Sequence, residues 1–124
     1  MNIAIVGSRH GFGAREVTDW IVANVKDDDL VITGGAPGVD TIAFGVCVSI
    51  GVRVLVIPPQ VRGDRGRDAF AAAAHERNRK IAMACDRLMA FHFNNSPGTA
   101  STIRYARELG KPVEVREKAS RIAP

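Results

Sequence analysis

Three glycine-bearing turns combine residue types that bind anions. They are Gly-Ser-Arg-His-Gly-Phe-Gly at 7–13, Gly-Gly-Ala-Pro-Gly at 34–38 and Asn-Ser-Pro-Gly-Thr at 95–99. Each turn follows an apolar run and precedes a helical pattern, so unpaired backbone N–H groups and the positive end of a helix dipole meet there. Such a place suits a phosphate. A tight turn that needs glycine only for its backbone angles remains the alternative.

One arginine lies on the apolar face of a predicted helix over 69–84. Arg77 is four residues before Ile81 on that face, and a buried charge without partners is very costly. Either an ion pair with Asp40 or Asp86 holds the helix to the sheet, or the guanidinium binds a ligand phosphate or a carbonyl of a glycine turn.

Apolar runs and helical periodicities alternate along the chain. Strands are predicted over 2–7, 30–33, 52–57, 86–93 and 113–116, and helices over 13–26, 39–50, 69–84 and 99–109. This alternation predicts an α/β fold with a parallel sheet and helices on both faces. A length of 124 residues fits one domain, predicted over 1–116 with a tail over 117–124.

The strand order follows from the positions of the turns. They come after the first, second and fourth strands, whereas the third strand stops at Pro58-Pro59. In the order 3-2-1-4-5 those three strands are neighbours, whereas the order 2-1-3-4-5 separates them. We therefore predict 3-2-1-4-5, with a ligand crevice at the switch point between strands 1 and 4.

Five segments occur in an order that resembles a known superfamily. They are Ile-Val-Gly-Ser-Arg at 5–9, Thr-Gly-Gly-Ala-Pro-Gly-Val-Asp at 33–40, Arg-Asn at 77–78, Ser-Pro-Gly-Thr at 96–99 and Gly-Lys-Pro-Val at 110–113. Together they resemble the SLOG superfamily of Rossmann-like nucleotide-binding domains, and most closely its small YspA/YpsA-related branch. The resemblance implies a three-layer Rossmann-like fold and a homodimer. It also implies that the chain senses or sequesters a nucleotide, such as an adenine nucleotide or an ADP-ribose-like molecule, without a further cofactor.

The predicted ligand-binding residues are the turn residues and the Arg-Asn pair that match this pattern. They are Gly7, Ser8, Arg9, Gly34, Gly35, Ala36, Gly38, Val39, Asp40, Arg77, Asn78, Ser96, Pro97, Gly98, Thr99 and Thr102.

The same superfamily includes the LOG phosphoribohydrolases, whose motif is Pro-Gly-Gly-x-Gly-Thr-x-x-Glu. Thr102 stands here at the position of the glutamate. Cleavage of an N-glycosidic bond builds positive charge on the ribose, which a carboxylate stabilises. Asp40 and Glu76 are the remaining catalytic candidates, although Asp40 also suits a structural or ribose-binding role in the first turn of its helix. Binding without turnover is therefore the main hypothesis, and hydrolysis of a nucleoside 5′-monophosphate is an alternative.

A second alternative is a DprA-like single-stranded DNA-binding module. The DNA-processing protein DprA (Smf) has a similar Arg-Asn-Arg-x-Ile-Ala segment, here 77–82, and a similar Gly-Ser-Arg turn. Basic residues outnumber acidic ones over 62–80: Arg62, Arg65, Arg67, Arg77, Arg79 and Lys80 against Asp64, Asp68 and Glu76. Such a stretch could follow a nucleic-acid backbone, or it could simply face solvent. Single-strand binders usually add aromatic platforms, and Phe70 is the one Phe, Trp or Tyr between residues 45 and 90.

Composition points to an ordinary globular protein. The hydrophobic content is 46% and the net charge +4, which suits solubility as well as nucleic-acid binding. Cys47 and Cys85 have no metal or redox spacing, so we expect reduced thiols and no metal site. We see no signal peptide and no apolar run of 18 residues, and therefore expect a cytoplasmic protein without a membrane span.

Overall fold

A computed structural model describes residues 1–61 and 66–120. Strands and helices alternate as β1 (Asn2–Gly7), α1 (Ala14–Asn24), β2 (Leu30–Thr33), α2 (Val39–Ile50), β3 (Arg53–Val56), α3 (Arg67–Ala84), β4 (Arg87–Phe93), α4 (Pro97–Glu108) and β5 (Val113–Lys118). None of the helices in this part of the chain has both the length and the apolarity needed to cross a bilayer.

The five strands form one sheet in the order β3-β2-β1-β4-β5, and every neighbouring pair is parallel. The predicted order is therefore confirmed. The central strand β1 pairs with β2 on one side and β4 on the other, with Ile3 opposite both Val31 and Arg87. This arrangement brings the carboxyl ends of β1, β2 and β4 to one edge of the sheet.

Each face of the sheet carries its own apolar core. One core joins α1 and α2 to the sheet and includes Val17, Trp20, Ile21, Ala43, Cys47, Ile3, Ile5, Val31, Met89 and Phe91. The other joins α3 and α4 to the opposite face and includes Ile81, Ala82, Ile103, Ala106, Ala4, Val6, Ile32, Leu88 and Ala90. Because β1 and β4 are covered on both faces, their sequences are almost continuously apolar. Each fully buried Ile or Leu contributes about 1.5–3 kcal/mol.

Several boundaries differ from the sequence prediction. Helix α4 begins at Pro97 instead of 99, because proline needs no hydrogen-bond partner at the first helical position. Helix α3 begins at Arg67 instead of 69. The remaining predicted loop residues 62–65, with Arg62, Asp64 and Arg65, lie outside the described residues.

The boundary of the predicted tail is also corrected. Strand β5 runs to Lys118, so Glu117 and Lys118 pair with His92 and Phe93 instead of beginning a tail at 117. The sequence prediction makes this strand too short because its charged residues interrupt the apolar pattern, although charges are common on an edge strand. Residues 121–124 lie outside the described part of the chain.

Candidate functional site

A crevice of about 330 Å³ lies at the carboxyl edge of the sheet, between β1, β4 and the first turns of α2 and α4. Its lining comprises Val6, Gly7, Ser8, Arg9, Ala36, Asp40, Arg77, Asn78, Ile81, Ser96, Gly98, Thr99 and Thr102. The switch point between strands 1 and 4 thus coincides with a cavity, at the small end of the size range of ligand sites.

Most of the predicted ligand-binding residues are among this lining. The predicted residues that do not line it are Gly34, Gly35, Gly38, Val39 and Pro97. Two lining residues were missed, Val6 and Ile81, both apolar. They could have been found from their neighbours, because Val6 precedes the first glycine turn and Ile81 follows Arg77 by one helical turn.

The first two glycine turns already hold an anion, the side chain of Asp40. Its Oδ1 accepts the Gly7 N–H at 3.2 Å, and its Oδ2 accepts the N–H groups of Gly34 and Ala36 at 3.0 and 3.3 Å. Asp40 is only 4% exposed. The sequence analysis assigned the N–H groups of these turns to a ligand phosphate, but those of Gly7, Gly34 and Ala36 donate to the chain's own carboxylate.

Burial and hydrogen bonding act on Asp40 in opposite directions. Desolvation raises the pKa of this carboxyl above its ordinary value, while the three backbone N–H groups and the nearby positive charge of Arg77 offset part of the rise. Its place in the first turn of α2 adds a favourable interaction with the helix dipole. Asp40 is thus a structural group at the edge of the crevice.

Gly34 and Gly38 are among the positions where only glycine lets the turns pack on one another. A Cβ on Gly34 would lie 2.7 Å from Arg77 Nη1 and 2.8 Å from Asp40 Oδ2. Gly38 has φ +96° and faces the carbonyl of Ser8, which a Cβ would approach to 2.5 Å. At these positions the structural explanation of the glycines is sufficient.

Arg77 spans from α3 to the end of β2. Its Nη1 donates to the Gly34 carbonyl at 2.6 Å, and its Nε donates to Asn78 Oδ1 at 2.9 Å. The carbonyl of a glycine turn is therefore its partner, and no ion pair within 4 Å joins it to Asp40 among the described residues. Asp86 is engaged elsewhere, with the backbone N–H of Asn2. The Nη2 group of Arg77 makes no hydrogen bond with any described residue, and Arg77 lines the crevice.

The third turn joins β1 to α4 through hydroxyl groups. Ser8 Oγ accepts the Phe93 N–H at 2.8 Å and shares a hydrogen bond with Ser96 Oγ at 2.6 Å. Asn78 Nδ2 donates to the Gly98 carbonyl at 3.3 Å and so ties α3 to the same turn. The N–H groups of Gly98 and Thr99 belong to the first turn of α4, where helix geometry provides no intrahelical acceptor.

Thr102, at the position of the LOG glutamate, and the catalytic candidate Glu76 both form hydrogen bonds within the protein. Thr102 Oγ1 donates to the Gly98 carbonyl within its own helix at 3.3 Å. Glu76 lies outside the crevice and is bonded to Arg79 Nη2 and Nε at 2.6 and 3.0 Å. Among the described residues, Asp40 is the one carboxylate in the crevice lining, and no three metal-ligating side chains converge. This geometry does not support a carboxylate acting on a ribose.

Comparison of the sequence with known proteins finds no match, whereas comparison of the structure finds similar folds. No protein-family model matches the sequence, and no curated protein matches it. The structure of DNA processing protein A (DprA) from Streptococcus pneumoniae is similar with a TM-score of 0.75 at 18% identity, over 92% of this chain and 49% of that one. DprA from Helicobacter pylori, solved for its single-stranded DNA binding mode, is similar with a TM-score of 0.73 at 18% identity, over 93% and 64%.

The chain thus spans about half to two thirds of the length of these two proteins. At this level of identity the likeness concerns the fold, and a DprA-like Rossmann fold is confirmed. Membership of the SLOG superfamily and of its YspA/YpsA-related branch stays a prediction.

Proposed function

We propose that the chain is a single-stranded DNA-binding module whose crevice holds a phosphate of the strand. The observation that carries this proposal is the position of Arg77. Its guanidinium is fixed by the Gly34 carbonyl and Asn78, and Arg77 lines the same crevice as Gly98 and Thr99 of the first turn of α4. An arginine held in this way, next to free helix N–H groups, suits a phosphate oxygen.

The charges around the crevice favour an anionic ligand. Asp40 is already surrounded by N–H donors, so it repels a phosphate less than a free carboxylate would. Arg9 lines the crevice, is exposed, and makes no hydrogen bond or ion pair with another described residue. Arg9 and Arg77 therefore offer two cations to one backbone segment.

Helix α3 also offers an aromatic ring for a base. Phe70 is 54% exposed and precedes Arg77 by seven residues, which places both side chains on one face of the helix, about two turns apart. The residues on either side are alanines or short polar side chains over 68–74, so the ring is unobstructed by its own helix. Base stacking on such a ring is typical of single-strand binders. The likeness to the fold of a protein studied for its single-stranded DNA binding supports the same proposal.

A free nucleotide is the second candidate ligand. The small volume of the crevice, about 330 Å³, with Ser8 bonded to Ser96 within its lining, favours a single small molecule. A phosphate of an adenine nucleotide or of an ADP-ribose-like molecule would use the same donors as a DNA phosphate. Sensing or sequestration of such a ligand, and the predicted homodimer, are kept as hypotheses.

Fluorescence anisotropy with a labelled oligothymidylate separates the two candidates. We expect binding that weakens from 50 to 200 mM salt, with a slope of about −0.7 per phosphate contact on logarithmic axes. AMP and ADP-ribose should compete only at much higher concentrations than unlabelled oligonucleotide. Tight binding of either nucleotide, with no binding of the oligonucleotide at 50 mM salt, would contradict the proposal and favour the second candidate.

A further inference from the structure

A second, smaller cavity adjoins the crevice on the other side of Arg77. It has a volume of about 170 Å³ and lies between α3 and the residues that follow β3, with Pro58, Gln60, Ala73, Glu76, Arg77 and Lys80 as its lining. Arg77 lines both cavities. Arg77 is thus common to both cavities, which lie side by side at the edge of the sheet.

The second cavity is lined by one carboxylate, Glu76, and two cations, Arg77 and Lys80. Glu76 is bonded to Arg79 through both carboxylate oxygens, and this pairing lowers the pKa of Glu76, with a smaller contribution from the charge of Lys80. Lys80 is exposed and makes no hydrogen bond, and no ion pair within 4 Å, with any described residue. It follows Arg77 by three residues, so the Cβ atoms of these two cations lie about 5–6 Å apart on the helix surface.

We infer that the second cavity is the subsite for the next phosphate of the strand, with Lys80 as its cation. This inference rests on the proposed function. Two anion subsites that share Arg77, each with a further cation (Arg9 in the crevice, Lys80 beyond it), match a repeating phosphodiester chain. A mononucleotide would fill the crevice and leave Lys80 without a partner. The ligand class is therefore a single strand of at least two nucleotides.

Titration with ligands of increasing length tests the second subsite. The probes are 5′-phosphorylated thymidine, its dinucleotide and its octanucleotide, each measured over a salt series with wild type, Lys80→Ala and Lys26→Ala. Lys26 is a matched control because it is an exposed lysine at the opposite, amino edge of the sheet. Lys80→Gln repeats the measurement with a longer neutral side chain.

We expect wild type to bind the dinucleotide and octanucleotide more tightly than the mononucleotide. Lys80→Ala and Lys80→Gln should weaken the binding of both longer ligands several-fold and reduce the salt slope by about 0.7, with the mononucleotide affinity unchanged. Lys26→Ala should behave as wild type. Circular dichroism checks that each variant is folded.

Two other results distinguish failure of the second subsite from failure of the proposed function. If wild type binds the octanucleotide but neither Lys80 variant changes its affinity or salt slope, the second subsite is wrong and the proposed function stands. If wild type binds no oligonucleotide at 50 mM salt, the proposed function fails and this inference fails with it.

Discussion

The turn between β2 and α2 and the turn between β4 and α4 have similar sequences but different environments. Both combine glycine and proline at a helix N-terminus at the same edge of the sheet: Pro37 and Gly38 precede α2, whereas Pro97 and Gly98 are the first residues of α4. In the first, Asp40 stands in the first turn of α2 and its carboxylate takes the N–H groups of Gly34 and Ala36. In the second, the first turn of α4 contains no acidic residue. Thr99 lies in that first turn, where the backbone N–H groups have no intrahelical acceptor.

The comparison shows how an acidic residue of the chain can take the N–H groups of a glycine turn at a helix N-terminus and so keep them from a ligand. Where the turn contains a carboxylate, the N–H groups and the helix dipole bind it and stabilise the fold. Where the turn contains no carboxylate, the same N–H groups stay free to bind an external phosphate. The turn between β2 and α2 is thus held by its own carboxylate, and we propose that the turn between β4 and α4, together with Arg77, is the part of the crevice that binds a ligand.

The largest expected effect comes from removing the Asp40 carboxylate from the turn between β2 and α2. Asp40→Ala leaves the N–H groups of Gly7, Gly34 and Ala36 without their acceptor and removes the negative charge beside Arg77. We expect the free energy of unfolding to fall by about 3–5 kcal/mol, as for the loss of one partner of a buried charged network. Urea denaturation followed by circular dichroism measures the change.

Asp19→Ala is the control for this prediction, because Asp19 is an exposed aspartate on α1 and its loss should leave the unfolding curve almost unchanged. An Asp40→Ala variant as stable as wild type would mean that the two turns do not differ as described. Inorganic phosphate should raise the melting temperature of Asp40→Ala more than that of wild type, since it can enter the vacated position.

A smaller effect is expected from the open side of the crevice. Arg77→Ala removes the guanidinium that we propose binds a phosphate of the strand, so the affinity for oligothymidylate should fall by one to two orders of magnitude. Hydrogen bonds to a charged group contribute about 1.5–3 kcal/mol, and about 1.4 kcal/mol corresponds to a factor of ten. Arg77→Lys should recover part of the affinity, because an ammonium cannot reproduce the fork of a guanidinium. Isothermal titration calorimetry of the folded variants gives the affinities.

Arg107→Ala removes the same charge from the last turn of α4, away from the crevice, and should bind as wild type does. Unchanged affinity in a folded Arg77→Ala would refute the role of Arg77 in binding. If Arg77→Ala does not fold, because the Gly34 carbonyl has lost its donor, Arg77→Lys provides the test.

The sequence predicted the sheet well because its signals are local and repeated. Two prolines after the third strand and glycine turns after the first, second and fourth strands were enough to choose the strand order. The engagement of Asp40 was not predictable in this way. Gly7 and Asp40 are 33 residues apart, and only the folded sheet brings the turn at 7–13 within reach of α2. The role of Gly34 was hidden for the same reason, since the space for a Cβ there is taken by Arg77 from a distant helix.

The smallest expected effect concerns the protonation of Asp40. Burial raises its pKa in the folded state above the unfolded value of 3.8, so the folded protein binds a proton more tightly than the unfolded chain does. The contribution of this group to stability is then fully present below pH 3.8 and is lost as the pH rises through the folded-state pKa. Asp40→Asn does not titrate, and the other carboxylates are common to both proteins.

The difference in unfolding free energy between wild type and Asp40→Asn isolates this group. Urea denaturation from pH 3.5 to pH 7 should show wild type losing stability relative to Asp40→Asn as the pH rises. The opposite slope would mean that the three backbone N–H groups and Arg77 outweigh burial and lower the pKa of Asp40. The turn would then hold an anion so strongly that its own carboxylate gains from ionisation, and Asp40→Ala should respond to inorganic phosphate all the more.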